Sequence, residues 1–203
     1  MRSIQILGAS ASLVASMLVN QAYAAVKVGE PAPDFQVAGA DGQTHSLAEY
    51  KGRYVVLEWT NDECPFVRKH YSSGNMQSLQ KEAKTDGAVW LSIISSAPGE
   101  QGHVDAAKAL KLTEKRGAAP TAVLLDEKGT AGRLYEAKTT PHMFIIDPAG
   151  KLIYAGAIDD TPSTDPTDIA ASKNYVKLAL SEARAGKPVS EPTTKPYGCS
   201  VKY

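Results

Sequence analysis

Cysteine is scarce in this chain: Cys64 and Cys199 are its only two among 203 residues. Neither stands near the amino terminus, which excludes a lipid-anchored cysteine behind a leader. No cysteine or histidine pair has the tight spacing of a structural zinc site. An excess of one charge is also missing. Lys+Arg and Asp+Glu stand at 22 each without a basic stripe, which argues against nucleic acid and anionic membrane as partners. Phosphate loop, dinucleotide fingerprint and Ser–His–acid constellation are absent, so those enzyme classes are set aside. Internal repeats and low-complexity tracts are absent too.

Long apolar runs are lacking as well. The stretch Ile4 to Val19 is short of the roughly 20 residues a membrane span needs and is diluted by serine and glutamine. It follows a short basic start, Met1-Arg2, and precedes Ala22-Tyr23-Ala24, small residues where a signal peptidase reads. This is the three-part pattern of a secretory signal over residues 1–24; a retained anchor is the rival reading. The expectation is a periplasmic or secreted protein, not inserted in a membrane once the signal is removed. The mature chain, 25–203, is one domain's worth of residues, and 188–203 form a proline-rich, polar tail.

What is present alternates. Asp41-Gly42 marks a hairpin between Phe35-Gln36-Val37 and Thr44 to Leu47, and Ser46 is placed to cap a short turn over Leu47 to Tyr50. Arg53 to Trp59 and Ala88 to Ser96 read as buried strands, with a helix from Pro65 to about Lys84 between them. A helix over His103 to Leu112, a strand over Thr121 to Leu125 and a turn with a short helix over Asp126 to Tyr135 follow. Met143 to Ile146 and Lys151 to Ala157 form a closing hairpin around Asp147-Pro148-Ala149-Gly150. A final helix is expected over Ile169 to Ala185. Strands alternating with helices and ending in a hairpin predict an α/β domain with a mixed sheet.

Cys64 falls just past one buried strand and just before a helix. Unpaired N–H groups at a helix start favour a thiolate, which is the nucleophilic form of cysteine. Arg68 and Lys69 are placed to add positive field, and Asp62 and Glu63 oppose it. The bland alternative is an inert cysteine closing a helix end. A second signal is Thr140-Pro141 immediately ahead of a buried strand, where proline supplies no ladder donor. A cis Thr140–Pro141 bond is one way to accommodate it.

Taken together these segments resemble the redoxin, or peroxiredoxin-like (AhpC/TSA type), branch of the thioredoxin superfamily. The resemblance is carried by GEPAPDFQVAGADGQTHSLAEYKGRYVVLEW, TNDECPFVRKHY, TTPHMFIIDPAGKLIYAGAID and the closing YGCSVKY. It implies a thioredoxin-like fold: a central mixed β-sheet flanked by helices, with an N-terminal β extension and a C-terminal tail. It also implies a cis Pro141 beside a reactive Cys64. Two positions depart from the pattern. Val67 stands where a dithiol oxidoreductase carries its second cysteine, so Cys64 has no local partner. Asn61 stands where peroxiredoxins carry threonine, with Thr60 one residue too early.

The function implied is thiol-dependent peroxidase or thiol–disulfide exchange. Its partners are a peroxide or a protein or small-molecule disulfide, together with a thiol reductant or a redox partner protein. No cofactor is implied. The candidate site is Cys64, Cys199, Thr140, Pro141, His142, Arg68 and Asn61. Cys199 is read as a resolving cysteine on a mobile tail, with a permanent Cys64–Cys199 clamp or an unpaired thiol as alternatives. His142, following the proline, is expected near the Cys64 sulfur, with His70 as a weaker candidate. Two further readings stay open. One is a copper- or zinc-binding protein using Cys64, Cys199, His142 and His70. The other is a binding module of the same fold without catalysis.

Overall fold

In the computed structural model the described residues are 26–203, so the expectations on the leader lie outside them. The chain opens with an antiparallel hairpin, β1 (Gln36–Ala38) and β2 (Thr44–Ser46), followed by a 3₁₀ turn at Leu47–Tyr50. Ser46 precedes that turn, but its hydroxyl makes no capping bond. Then come β3 (Val55–Trp59), α1 (Pro65–Ser72), α2 (Asn75–Thr85), β4 (Val89–Ile94), α3 (Ala106–Lys115), β5 (Ala122–Leu125) and α4 (Thr130–Leu134). The order closes with β6 (Thr139–Thr140), β7 (His142–Ile146), β8 (Leu152–Gly156), α5 (Tyr175–Arg184) and β9 (Cys199–Ser200).

The main sheet has the order β5-β4-β3-β7-β8. The β3, β4 and β5 strands run parallel, and β7 and β8 close the sheet antiparallel. This is the mixed sheet of a thioredoxin-like fold. Every residue of β3 and of β7 is buried, because both faces of the central strands are covered. One face packs Trp59, Tyr135 and Phe144, with ring centroids 5.2–5.6 Å apart. The other packs Val56, Met143 and Ile145 against α1, α2 and α5 through Val67, Met76, Leu79, Val176 and Leu180. Each large apolar side chain so buried contributes on the order of 1.5–3 kcal/mol.

Glu58, in the middle of β3, points into that second face with no exposure. Its carboxylate accepts from Tyr71 Oη (2.8 Å), Trp90 Nε1 (2.7 Å), Ser92 Oγ (2.8 Å) and Gln80 Nε2 (3.3 Å). Four donors replace the water it gives up. The network fixes α1 and α2 against the sheet, and so fixes the loop ahead of α1.

Three further expectations change. The helix expected from Pro65 to Lys84 is two helices, because Gly74 takes a left-handed φ of 77° that stops α1 and turns the chain into α2. The helix expected over Ile169 to Ala185 is a 3₁₀ turn, Pro166–Ala170, and then α5, which Asn174 starts by accepting from Lys177 N at 2.9 Å. The tail is not loose. Thr193 bridges to Ala155, and Thr194 Oγ1 accepts from Ala157 N. Beyond it, β9 pairs with β6, and Val201 N donates to Lys138 O. Ala97 N donates to Lys202 O, and Tyr203 Oη to Ala137 O.

Candidate functional site

The loop from β3 to α1 is shaped by Asn61. Its carbonyl accepts from Cys64 N (3.1 Å), its Oδ1 accepts from Glu63 N (2.9 Å), and its Nδ2 donates to Gln101 O (3.2 Å). These bonds make Asn61 a brace of the loop. Pro65 is the first helical residue, where its missing N–H costs nothing. Cys64 is therefore the residue that caps α1, and it is fully buried.

Two segments distant in sequence meet the sulfur. The Thr140–Pro141 bond is cis, and the Cys64 thiol donates to the carbonyl of Thr140 at 3.0 Å. Thr140 in turn lies opposite Cys199 in the β6–β9 pair. Cys199 is half-buried, and both cysteines are free thiols.

Burial alone would push the Cys64 thiol up. Hydrogen bonding from the Cys199 thiol, the Thr140 side chain and the N–H groups of Val67 and Cys199 outweighs that and holds it below the ordinary range. Cys199 moves the other way, up to about 11, through burial, its bond to Cys64 and the charge of that sulfur, with Lys202 opposing. The two thiols are thus shifted in opposite directions, Cys64 down and Cys199 up.

The remaining candidates are placed as follows. Arg68 is exposed and donates from Nε to Asp62 O at 2.8 Å, so it braces the loop and is not among the groups that lower Cys64. His142 does not join Cys64. Side chains alternate along β7, so His142 packs on Phe144 (centroids 4.4 Å apart) on one face, while Met143 and Ile145 line the face that holds Cys64. Its Nδ1 accepts from Lys138 N at 3.3 Å, and burial with nearby Lys138 pushes its pKa down to about 3. The ring is a neutral structural acceptor. His70 has both ring nitrogens engaged. Nδ1 accepts from Asn75 Nδ2 (2.9 Å), and Nε2 meets Tyr197 Oη (3.1 Å). The set Cys64, Cys199, His142 and His70 thus does not converge, and no group of three or more metal-ligating side chains is found among the described residues.

Thr60 Oγ1 is buried without a protein partner. It lines a cavity of about 30 Å³ with Asp62, Tyr71, Ser92 and Arg116, which does not reach Cys64.

Residues 28–155, well over half of the chain, match the AhpC/TSA family. The chain belongs to the AhpC/TSA family. Among curated proteins, a segment is 30% identical over 63 residues to "Peroxiredoxin Bcp" of Bacillus subtilis (strain 168). That match covers 27% of this chain and 40% of that protein. Among solved structures, an uncharacterized conserved protein from Geobacillus kaustophilus superposes with a TM-score of 0.73 at 26% identity, over 87% of this chain and 92% of that one. A candidate thiol:disulfide interchange protein, DsbE, from Chlorobium tepidum superposes with a TM-score of 0.52 at 26% identity, over 64% of this chain and 85% of that one. In this AhpC/TSA chain the thioredoxin-like frame carries one sulfur at the cap of α1 and the other on β9.

Sequence reading missed the buried group that holds the segment around Cys199. Tyr197 donates to Asp159 Oδ1, Lys69 Nζ pairs with Asp159 Oδ2 (3.4 Å) and donates to Thr161 O (2.7 Å), and Lys69 and His70 are fully buried. A Lys-His pair in the middle of α1 was the available signal, since charged side chains on an inward face require partners.

Proposed function

We propose that this AhpC/TSA protein is an exported thiol peroxidase in which Cys64 is the peroxidatic thiolate and Cys199 resolves it. The observation that carries the reading is that Cys64, at the start of α1, donates to the carbonyl of Thr140, the residue that pairs with Cys199 across β6 and β9. Family membership and the similarity to a peroxiredoxin support it.

The chemistry balances in two steps. The Cys64 thiolate attacks one peroxide oxygen and the O–O bond breaks. The sulfur becomes a sulfenic acid, oxidised by two electrons, and the other oxygen leaves as hydroxide or alkoxide and takes a proton. The Cys199 sulfur, losing its proton, then attacks the sulfenic sulfur. The S–O bond breaks, water leaves, and a Cys64–Cys199 disulfide remains. A dithiol reductant restores both thiols by exchange and is itself oxidised to a disulfide. The thiolate is the nucleophile in the first step, so groups that hold Cys64 low raise its reactive fraction at neutral pH.

Exchange with a disulfide substrate is a second reading. In that reading Cys64, held low, is the attacking thiol, and the half-buried Cys199 is the thiol that closes the pair. The two readings separate in one assay. The mature protein with a small dithiol reductant is given hydrogen peroxide or, separately, an oxidised model peptide. Turnover of peroxide that Cys64→Ser abolishes supports the peroxidase; turnover of the peptide alone supports exchange.

A further inference from the structure

We infer that Tyr197 is the positioning residue for the Cys199 thiol, acting from a socket formed by the buried Asp159, His70 and Lys69 and the half-buried Phe66. The inference rests on the Cys64–Cys199 pairing proposed above and assigns what holds that pair together.

One residue, Gly198, separates the Tyr197 anchor from Cys199. The Tyr197 ring meets Phe66 edge-on at 5.8 Å, and Lys69 Nζ stands 5.8 Å from its centroid. The hydroxyl is held from both sides. It donates to Asp159 Oδ1 and receives the Nε2–H of His70, whose Nδ1 is taken by the Asn75 amide. That tautomer follows from the Asn75 donor. Burial, with Lys69 adding to it and Asp159 opposing, keeps His70 neutral at neutral pH, with its pKa down to about 4. Lys69 and Asp159 are almost fully buried and neutralise one another, so the socket is a rigid, charge-balanced group and not a solvated rim.

Gly198 connects the anchor to the sulfur. Its φ is 133°, and a Cβ there would run into the Thr140 carbonyl, the same oxygen that accepts from Cys64. The chain leaves the socket, passes against Thr140 and enters the two-residue β9. A pairing that short is weak by itself, so what places Cys199 over Cys64 is the fixed Tyr197 on one side and the Val201 and Tyr203 contacts on the other. Removing the hydroxyl keeps the ring and its Phe66 contact but frees the side of β9 nearer the sulfur.

The test is a cycle of Tyr197→Phe, Cys199→Ala and the double variant, each checked for the parent fold by circular dichroism. Two quantities are read. The first is the rate at which a pre-formed Cys64 sulfenic acid closes to the disulfide. The second is the midpoint of Cys64 alkylation against pH, followed on the Cys64 peptide by mass spectrometry. In Tyr197→Phe, closure slows by roughly ten- to a hundredfold, the usual effect of misplacing a reacting group by about 1 Å. The Cys64 midpoint moves up toward that of Cys199→Ala, and Tyr197→Phe adds nothing when Cys199 is already alanine. A loss of packing alone would move the midpoint equally with and without Cys199, and that result overturns the inference, as does parent-rate closure in Tyr197→Phe. If the parent never forms the disulfide, the resolving role of Cys199 fails, and the alkylation cycle still decides whether Tyr197 acts on Cys64 through Cys199.

Discussion

The Cys64 thiol donates to the carbonyl of Thr140 at 3.0 Å, and Thr140 is the residue that pairs with Cys199 across β6 and β9. One backbone unit thereby receives the start of α1 on one side and the last strand of the chain on the other. The two sulfurs are neighbours because each is referenced to Thr140.

Gly198→Ala is predicted to disrupt this arrangement. The substituted residue would need an unfavourable φ and would press its Cβ on the Thr140 carbonyl, which as backbone cannot step aside. Strain of that kind costs about 1–3 kcal/mol. The segment relieves it by leaving β6, so urea unfolding shifts by no more than that amount. Alkylation of the otherwise fully buried Cys64 accelerates, and disulfide closure slows.

Stability is predicted to fall with acid before the carboxylates titrate. His70 and His142 are held neutral in the folded protein, with pKa values of about 4 and about 3 against an ordinary 6.5; burial is the main cause in both. Between pH 6.5 and 4 the unfolded chain takes up protons at these positions and the native state does not. The stabilisation present above pH 6.5 is therefore lost as the pH falls, by about 3 kcal/mol for each histidine at pH 4. His142→Asn keeps an acceptor for Lys138 N and removes one titration. Its urea midpoint should fall less between pH 7 and pH 4, and its peroxide turnover at pH 7 should equal that of the parent.

Glu58→Ala is predicted to cost about 3 kcal/mol or more, because it leaves the buried donors of Tyr71, Gln80, Trp90 and Ser92 without their acceptor. Chemical denaturation measures it. Glu58→Gln, which keeps an acceptor oxygen, should lose less.

Much of the frame was legible. The Cys64-Pro65 junction of strand and helix, the Thr140-Pro141 entry into β7 and the closing hairpin all follow from local signals. His142 was misread because β7, HMFII, is buried on both faces, so nothing in its pattern says which side each residue takes. The break at Gly74 was missed because apolar residues continue on both sides of it. The docking of the tail was illegible for a different reason. It depends on Tyr197 finding Asp159, and on the glycine slot of Gly129 and Gly132 that receives the Tyr203 ring, contacts between segments far apart in the chain.

Export is predicted from the leader pattern alone. Expressed as the full chain in a Gram-negative host, the protein should be recovered from the periplasm with Ala25 as its first residue by amino-terminal sequencing. A cytoplasmic product beginning at Met1 would contradict it.

The most direct measurement gives the reduced mature protein one equivalent of hydrogen peroxide, blocks free thiols and maps the cysteines by mass spectrometry. The account predicts a rapid Cys64–Cys199 disulfide that a dithiol reverses, and a Cys64 sulfenic acid trapped by dimedone in Cys199→Ala. A Cys64 that remains a free thiol for hours, or oxidises without ever joining Cys199, would contradict it.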